Sequence, residues 1–281
     1  MLTQGFIIVA CGAPFYGRMA YNLAVSIKAA EDVQVTVLHN GGGLSHLSEK
    51  QLQIFDTIIE IETKSFGAKL CLIDYTPYDQ TIYLDADTAW MPGKLPSDLF
   101  KEMKGVVFTS ITEGYYDLDM DKDNGNGMYH YWCTPKEAKE RYALSGKFYQ
   151  WRSEIMYFTK EAKELFDMAK SIYADPKITV KQFAGTIPDE LAINIAACKL
   201  GIEPHAYKWK PIYWHRLHGE GKTLPEIMYD YYLMSMGGNF SSANMKTCYI
   251  NICKAAHRKL GLQYLFLPDS KKSVMPDRVK M

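Results

Sequence analysis

Short apolar runs alternate with helix-spaced stretches from Phe6 to Ile111, and no other feature of the chain limits its possible folds as strongly. Residues 6–11 form a continuous apolar run stopped by Gly12-Ala13-Pro14, and residues 18–30 then place Met19, Leu23, Ile27 and Ala30 at helical spacing. Residues 33–38 read as a second strand, closed by Asn40-Gly41-Gly42-Gly43. A helix over 48–55 follows, with Ser45 or Ser48 as its cap. Residues 57–61, 80–84 and 106–111 supply three more strands, and a short helix over 67–75 separates the first two. Such alternation predicts an α/β fold: a mostly parallel sheet flanked by helices.

The remainder is less regular. Residues 113–131 are rich in Asp, Gly, Asn and aromatics without periodicity and read as a long loop. A strand is expected over 155–159, an amphipathic helix over 160–173, and a helix over 189–200 with Leu191, Ile195 and Cys198 inward. The tail over 224–260 reads as two helices separated by Gly237-Gly238. This divides the chain into an α/β domain over 1–223 and a helical C-terminal extension over 224–281.

Thirty-two basic and thirty-two acidic residues cancel, so no global field draws nucleic acid or an anionic membrane. The six cysteines (Cys11, Cys71, Cys133, Cys198, Cys248, Cys253) include no Cys-x-x-Cys pair and fit free thiols in a reducing compartment. The N-terminus lacks a basic leader, and no stretch approaches the ~18 apolar residues of a membrane span. A cytoplasmic protein is the expectation.

Within this frame the stretch Tyr83-Leu84-Asp85-Ala86-Asp87-Thr88 carries the chemistry. The apolar run Thr81-Ile82-Tyr83-Leu84 ends in two carboxylates one residue apart, and Pro92-Gly93 breaks the apolar residues beyond. Two unpaired carboxylates at a sheet edge lose hydration and repel each other; a divalent cation removes both penalties. Asp-x-Asp alone is weak, since Asp117, Asp119, Asp121 and Asp123 repeat it in the acidic loop. That second run lacks the Gly and Glu spacing of a calcium loop, so it reads as an acidic loop whose aromatics suit stacking on an acceptor.

Taken together, these residues resemble retaining GT-A glycosyltransferases, most closely glycosyltransferase family 8. Ala10, Cys11 and Tyr16 sit where that family's nucleotide loop would be, Lys69 matches its basic position, and the strand ending in Asp85-Ala86-Asp87 matches its metal strand. Asp189-Glu190-Leu191-Ala192-Ile193-Asn194 is similar to the family's Asp-Gln-x-x-x-Asn helix start, and His218-Gly219-Glu220-Gly221-Lys222 to its late His-x-x-Gly-x-x-Lys segment, two residues shorter. The resemblance implies a GT-A fold and a Mn²⁺ or Mg²⁺ ion held by Asp85, Asp87 and His218, with His215 the alternative third ligand. It also implies a nucleotide diphosphate sugar contacted by Ala10, Cys11, Tyr16, Lys69, Ala86, Asn194, Gly221 and Lys222. Asp189 and Glu190 would work at the sugar.

Two departures stand out. Glu190 replaces the family's Gln, which leaves an inverting outcome open beside a retaining one. Arg152-Ser153-Glu154 occupies the place of an Asn-x-Gly that contacts the sugar, leaving the donor sugar open. The expected activity is transfer of a hexose, UDP-linked, to a hydroxyl of a glycan, a protein or a hydroxymethylated DNA base. The DNA version would use the basic residues Lys208, Lys210, Lys246, Lys254, Arg258 and Lys259. A nucleotidyltransferase and a non-catalytic sugar-binding protein on the same fold are the rivals. The oligomeric state is not expressed in the sequence.

Overall fold

A computed structural model describes residues 2–62, 66–124, 134–175, 189–205, 210–214, 222–236 and 243–265. Its strands are β1 (Gln4–Ala10), β2 (Gln34–His39), β3 (Thr57–Glu60), β4 (Gln80–Asp85), β5 (Thr88–Trp90), β6 (Phe108–Asp117), β7 (Lys122–Asp123), β8 (Lys147–Thr159), β9 (Lys210–Trp214) and β10 (Tyr231–Ser235). Seven of them form one sheet in the order β3-β2-β1-β4-β8-β6-β7, and β5-β10-β9 form a second. The expected parallel pairing holds across β3-β2-β1-β4; beyond β4 every pair in the large sheet is antiparallel.

The helices are α1 (Pro14–Ala30), α2 (Glu49–Leu52), α3 (Leu72–Tyr75), α4 (Pro96–Glu102), α5 (Pro135–Tyr142), α6 (Lys163–Tyr173), α7 (Asp189–Lys199), α8 (Leu224–Asp230) and α9 (Ala243–Lys259). Helix α1 begins at Pro14, four residues before the expected start, because proline's fixed φ and missing N–H suit the first helical position. Ser48 caps α2 through a capping box with Gln51.

Side-chain alternation along the central strands divides the core. Phe6, Ile8, Ile82 and Leu84 pack with Met19, Leu23 and Ile27 of α1 and with Met245, Tyr249 and Ile252 of α9. Ile7 and Tyr83 face the other way, toward Leu165, Phe166 and Ala169 of α6 and Leu191 and Ile195 of α7. Both faces of β1 and β4 are therefore covered, which is what their unbroken apolar runs require. Each large side chain buried there contributes roughly 1.5–3 kcal/mol.

Three expectations need correction. Residues 113–117 are strand, not loop: Tyr115 packs across β6–β8 against Tyr149 with tilted rings and centroids 5.4 Å apart, and such cross-strand aromatic pairs stabilise a ladder without apolar alternation. The turn beyond closes on Asp117, whose Oδ1 accepts from the backbone N–H groups of Asp119 and Met120; residues 125–131 of the expected loop lie outside the described residues. The strand expected over 155–159 starts at Lys147. Finally, the tail is helix–strand–helix, not two helices. Tyr231 to Ser235 are all buried in β10, and a short apolar run cannot be told from a helix segment by periodicity. Through β10 and α9 the tail shares the core of α1.

Five cysteines are free thiols, and Cys198, expected inward, is half-buried; Cys133 lies outside the described residues. Among the described residues no helix is long and apolar enough to cross a membrane.

Candidate active site

Strands β1 and β4 run side by side, with Val9 opposite Asp85, so Ala10, Cys11 and the Asp85-Ala86-Asp87 turn emerge together at the carboxyl edge of the parallel half. That edge is where open α/β sheets leave a crevice for ligands. Ala10 and Ala86 are buried, whereas Cys11, Asp85 and Asp87 are half-exposed. Asn40, the residue after β2, accepts the Gly12 N–H at 2.9 Å and ties the two strand ends together. Burial raises the Cys11 thiol to about 11, so it stays protonated at neutral pH. Tyr16, in the first turn of α1, has its hydroxyl pKa raised by burial and then by the negative charges of Asp87 and Asp85.

Lys69 joins this edge to α7. It lies in a 3₁₀ turn over Phe66–Cys71, and its Nζ stands 2.8 Å from Asp85 Oδ1 and 3.8 Å from Asp189 Oδ2. It also donates to Ser153 Oγ at 2.9 Å. Burial opposes its charge, but Asp189 and Asp85 outweigh burial and hold the ammonium above its ordinary pKa. Tyr83, on the same strand, donates its hydroxyl to the same Asp85 Oδ1. Asp85 Oδ2 has no partner among the described residues. The turn itself is fixed by Thr88, whose hydroxyl donates to Asp85 O at 2.8 Å, and by Met236 N–H on Asp87 O at 3.1 Å.

Helix α7 presents its first turn to β8 where the β4–β8 ladder, which ends at the Leu84–Ile155 pair, has stopped. The backbone N–H groups there find side chains instead: Trp151 N–H donates to Asn194 Oδ1 at 3.1 Å, and Ser153 N–H to Glu190 Oε1 at 3.3 Å. Buried amides need such partners, so Asn194 and Glu190 also hold the strand's shape. Arg152 completes the cluster, with Nη1 3.6 Å from Glu190 Oε2 and Nε 3.2 Å from Glu113 Oε1, and a salt bridge to Glu154.

Ion pairs thus link five carboxylates, Asp85, Asp189, Glu113, Glu154 and Glu190, to two cations, Lys69 and Arg152. The surplus is negative and mostly buried, and the protonation equilibria respond. Burial raises Asp189 above the usual carboxylate range even with Lys69 nearby. It pushes Glu190 up to about 7 against the pull of Arg152, and it raises Glu113. Glu154 goes the other way: burial would raise it, but Arg152 and Lys69 together hold it below its ordinary value. Asp189 Oδ2 is buried and accepts no hydrogen bond. A site with unbalanced carboxylates and an orphaned oxygen suits ligands that bring positive charge or hydroxyl donors.

The structure brings Ala10, Cys11, Tyr16, Lys69, Asp85, Ala86, Asp87, Asp189, Glu190 and Asn194 to this one region. Lys222 pairs instead with Asp230 at 2.6 Å, over the Tyr231 ring. His215, His218 and Gly221 lie outside the described residues. For a cation, Asp85 and Asp87 offer hard carboxylate oxygens of the type Mg²⁺ and Mn²⁺ prefer. Among the described residues, no group of three His, Cys, Asp or Glu side chains is arranged for a metal. The roles of Arg152, Glu113, Ser153 and Tyr83 were not read from the sequence. The signal for the first was present: a charged Arg152-Ser153-Glu154 triplet inside an otherwise apolar strand.

By sequence the chain matches no family profile and no curated protein. By structure it matches the apo form of the bifunctional glycosyltransferase WbbM with a TM-score of 0.58 at 11% identity, over 92% of this chain and 52% of that one. It therefore spans about half of WbbM. The galactosyltransferase LgtC, held with donor and acceptor sugar analogues, matches with a TM-score of 0.55 at 12% identity, over 89% of this chain and 95% of that one. An active-site mutant of LgtC, in which glutamate replaces a glutamine, matches with a TM-score of 0.54. The chain thus has the α/β fold of GT-A-type glycosyltransferases, with a seven-stranded central sheet flanked by helices.

Proposed function

We propose that this chain is a metal-dependent glycosyltransferase that moves a hexose from a nucleotide diphosphate sugar, UDP-linked, to a hydroxyl acceptor. The observation that carries the reading is the pairing of Asp85 with Lys69 at the carboxyl edge of β4, beside Asp87 and opposite the buried Asp189. Asp85 and Asp87 would hold Mn²⁺ or Mg²⁺, with His218 as third ligand. When bound, that ion neutralises the charge that develops on the departing diphosphate.

The chain's own residues have separate tasks. Ala10, Cys11 and Tyr16 border the nucleotide. Lys69 orients Asp85 and adds positive charge toward the phosphates, with Lys222 as a second cation. Asp189, whose buried Oδ2 lacks a hydrogen-bond donor, would accept one from a sugar hydroxyl. Glu190 is engaged through both oxygens, by Ser153 and by Arg152, and is poorly placed to act as a free base. That favours retention of anomeric configuration, because an inverting reaction needs a carboxylate free to take the acceptor's proton.

A panel of nucleotide sugars screened by thermal shift with Mn²⁺, on the parent chain and on Asp87→Ala, tests the proposal. The expected result is one donor that stabilises the parent only when the metal is present and leaves the variant unmoved. Equal stabilisation of both proteins would overturn the metal-bridged site, and no response to any donor would overturn the function.

A further inference from the structure

Helix α9 carries Lys246, Lys254, His257, Arg258 and Lys259 and no acidic residue, in a chain whose basic and acidic residues cancel as a whole. Its C-terminal half and the segment after it line a cavity of about 420 Å³, formed by Asn251, Lys254, His257, Arg258, Leu262 and Tyr264. That volume suits a small molecule. The floor is His257, only 1% exposed. Its Nδ1 lies 2.7 Å from Cys253 O, and since a carbonyl only accepts, Nδ1 carries the proton and the neutral ring leaves Nε2 as a bare acceptor. Nε2 is buried and has no partner. Tyr21 of α1 and Tyr264 stand edge-on to the ring, so the nearest charged groups lining the cavity are Lys254 and Arg258. Arg258 and Asn251 are exposed and make no hydrogen bond or ion pair among the described residues.

From this set of groups we propose that the cavity binds a small soluble ligand bearing a phosphate monoester, with Lys254 and Arg258 on its oxygens and His257 beneath. Arg258 offers a planar fork and Lys254 a point charge, the two forms of phosphate recognition available to side chains. The Tyr264 ring and Leu262 leave an apolar wall for the body that carries the phosphate. A proton accompanies the anion: His257, buried beneath the cavity, takes up its second proton as the phosphate binds above it, its charge answering the anion through space. Burial holds the free imidazole below its usual pKa and a bound anion raises it. Affinity therefore increases as pH falls through the bound-state pKa, and the gain is complete below the free-state value. The proposal is independent of the proposed transferase activity.

The test is calorimetric titration of the full chain with inorganic phosphate and with glucose 1-phosphate, alongside flotation with vesicles containing phosphatidic acid. The experiments are run near pH 6 and near pH 8, on the parent, on Arg258→Ala and on Lys254→Ala/Arg258→Ala. Both substitutions lie on the exposed side of α9 and leave its core contacts in place. We expect saturable binding of the soluble phosphates, tighter at the lower pH, weakened about tenfold by the single substitution and abolished by the double one. Nitrogen-15 histidine spectra should show one imidazole, lost in His257→Asn, whose pKa rises with phosphate. Binding unchanged in the double variant, binding of vesicles alone, or affinity independent of pH would each overturn it.

Discussion

Asp85 and Asp189 come from elements more than a hundred residues apart and share one ammonium, that of Lys69, 2.8 Å from the first and 3.8 Å from the second. Among the described residues Lys69 is the only cation the ion pairs place between them, and its side chain is largely buried. Replacing Lys69 with Met keeps the volume and strands two carboxylates. Removing one partner of a buried pair costs about 3–5 kcal/mol. Burial already raises the Asp189 carboxyl and loss of the ammonium raises it further, so the deficit is small in acid, where Asp189 is neutral, and grows as pH rises past its folded-state value. Thermal melts should show Lys69→Met far below the parent near pH 8 and close to it near pH 4.5. A deficit of equal size at both would refute the shared-cation account.

Glu190 supplies a second pH effect with the same sign. Its carboxyl is raised to about 7 by burial, against an unfolded value of about 4.5. Between those values the folded state binds the extra proton, so Glu190 costs stability progressively as pH rises from about 4.5 to about 7, on the order of 3 kcal/mol when complete. Glu190→Gln keeps an oxygen for the Ser153 N–H and removes the ionisation. Urea denaturation should find the variant as stable as the parent near pH 4.5 and more stable near pH 8. A variant less stable than the parent near pH 8 would mean that the charge on Glu190 is a net asset to the fold.

Legibility in the sequence followed covalent distance. The parallel strands, α1 and the Asp85-Ala86-Asp87 edge were visible because each is a local run with a clear end. Residues 231–235 were not, because a five-residue apolar segment has no period to distinguish strand from helix, and only pairing with β5 and β9 decides. Lys69 and Asp189 were recognised separately through a resemblance, yet nothing local states that one ammonium lies between Asp85 and Asp189. Arg152 is the clearest omission. It drew notice only as a departure from a family pattern, while its partners Glu113 and Glu190 sit 39 and 38 positions away along the chain.

The loop after β2 yields a prediction about backbone approach. A Cβ on Gly43 would stand 1.9 Å from Ala10 O, and one on Gly17 2.1 Å from Gly43 O, so three segments meet where only hydrogens fit. Because the opposing atoms are backbone, no rotamer change relieves them. Gly43→Ala should lower stability by about 1–3 kcal/mol and shift the end of β1, weakening binding of any nucleotide held by Ala10 and Cys11. Denaturant melts and donor titration check the two halves separately. Unchanged donor affinity in a destabilised variant would detach this loop from the nucleotide.

Arg152 decides whether the cluster around Glu190 is held by charge or by shape. Its guanidinium reaches Glu113, Glu154 and Glu190 at once, and their charges outweigh its own burial to raise its pKa. Arg152→Met preserves much of the packing volume but leaves three carboxylates without the cation they share, at about 3–5 kcal/mol by the cost of breaking a buried pair. Arg152→Lys keeps the charge yet cannot fork to three acceptors, so it should recover part of the stability and not the geometry. If a donor is found, Arg152→Lys should then bind it almost as the parent does while turning over more slowly, because Glu190 and Ser153 lose their fixed position beneath the sugar. Denaturation of the two variants, followed by separate measurement of KM and kcat, gives the answer. Equal stability of Met and Lys variants would show that shape, not charge, holds the cluster together.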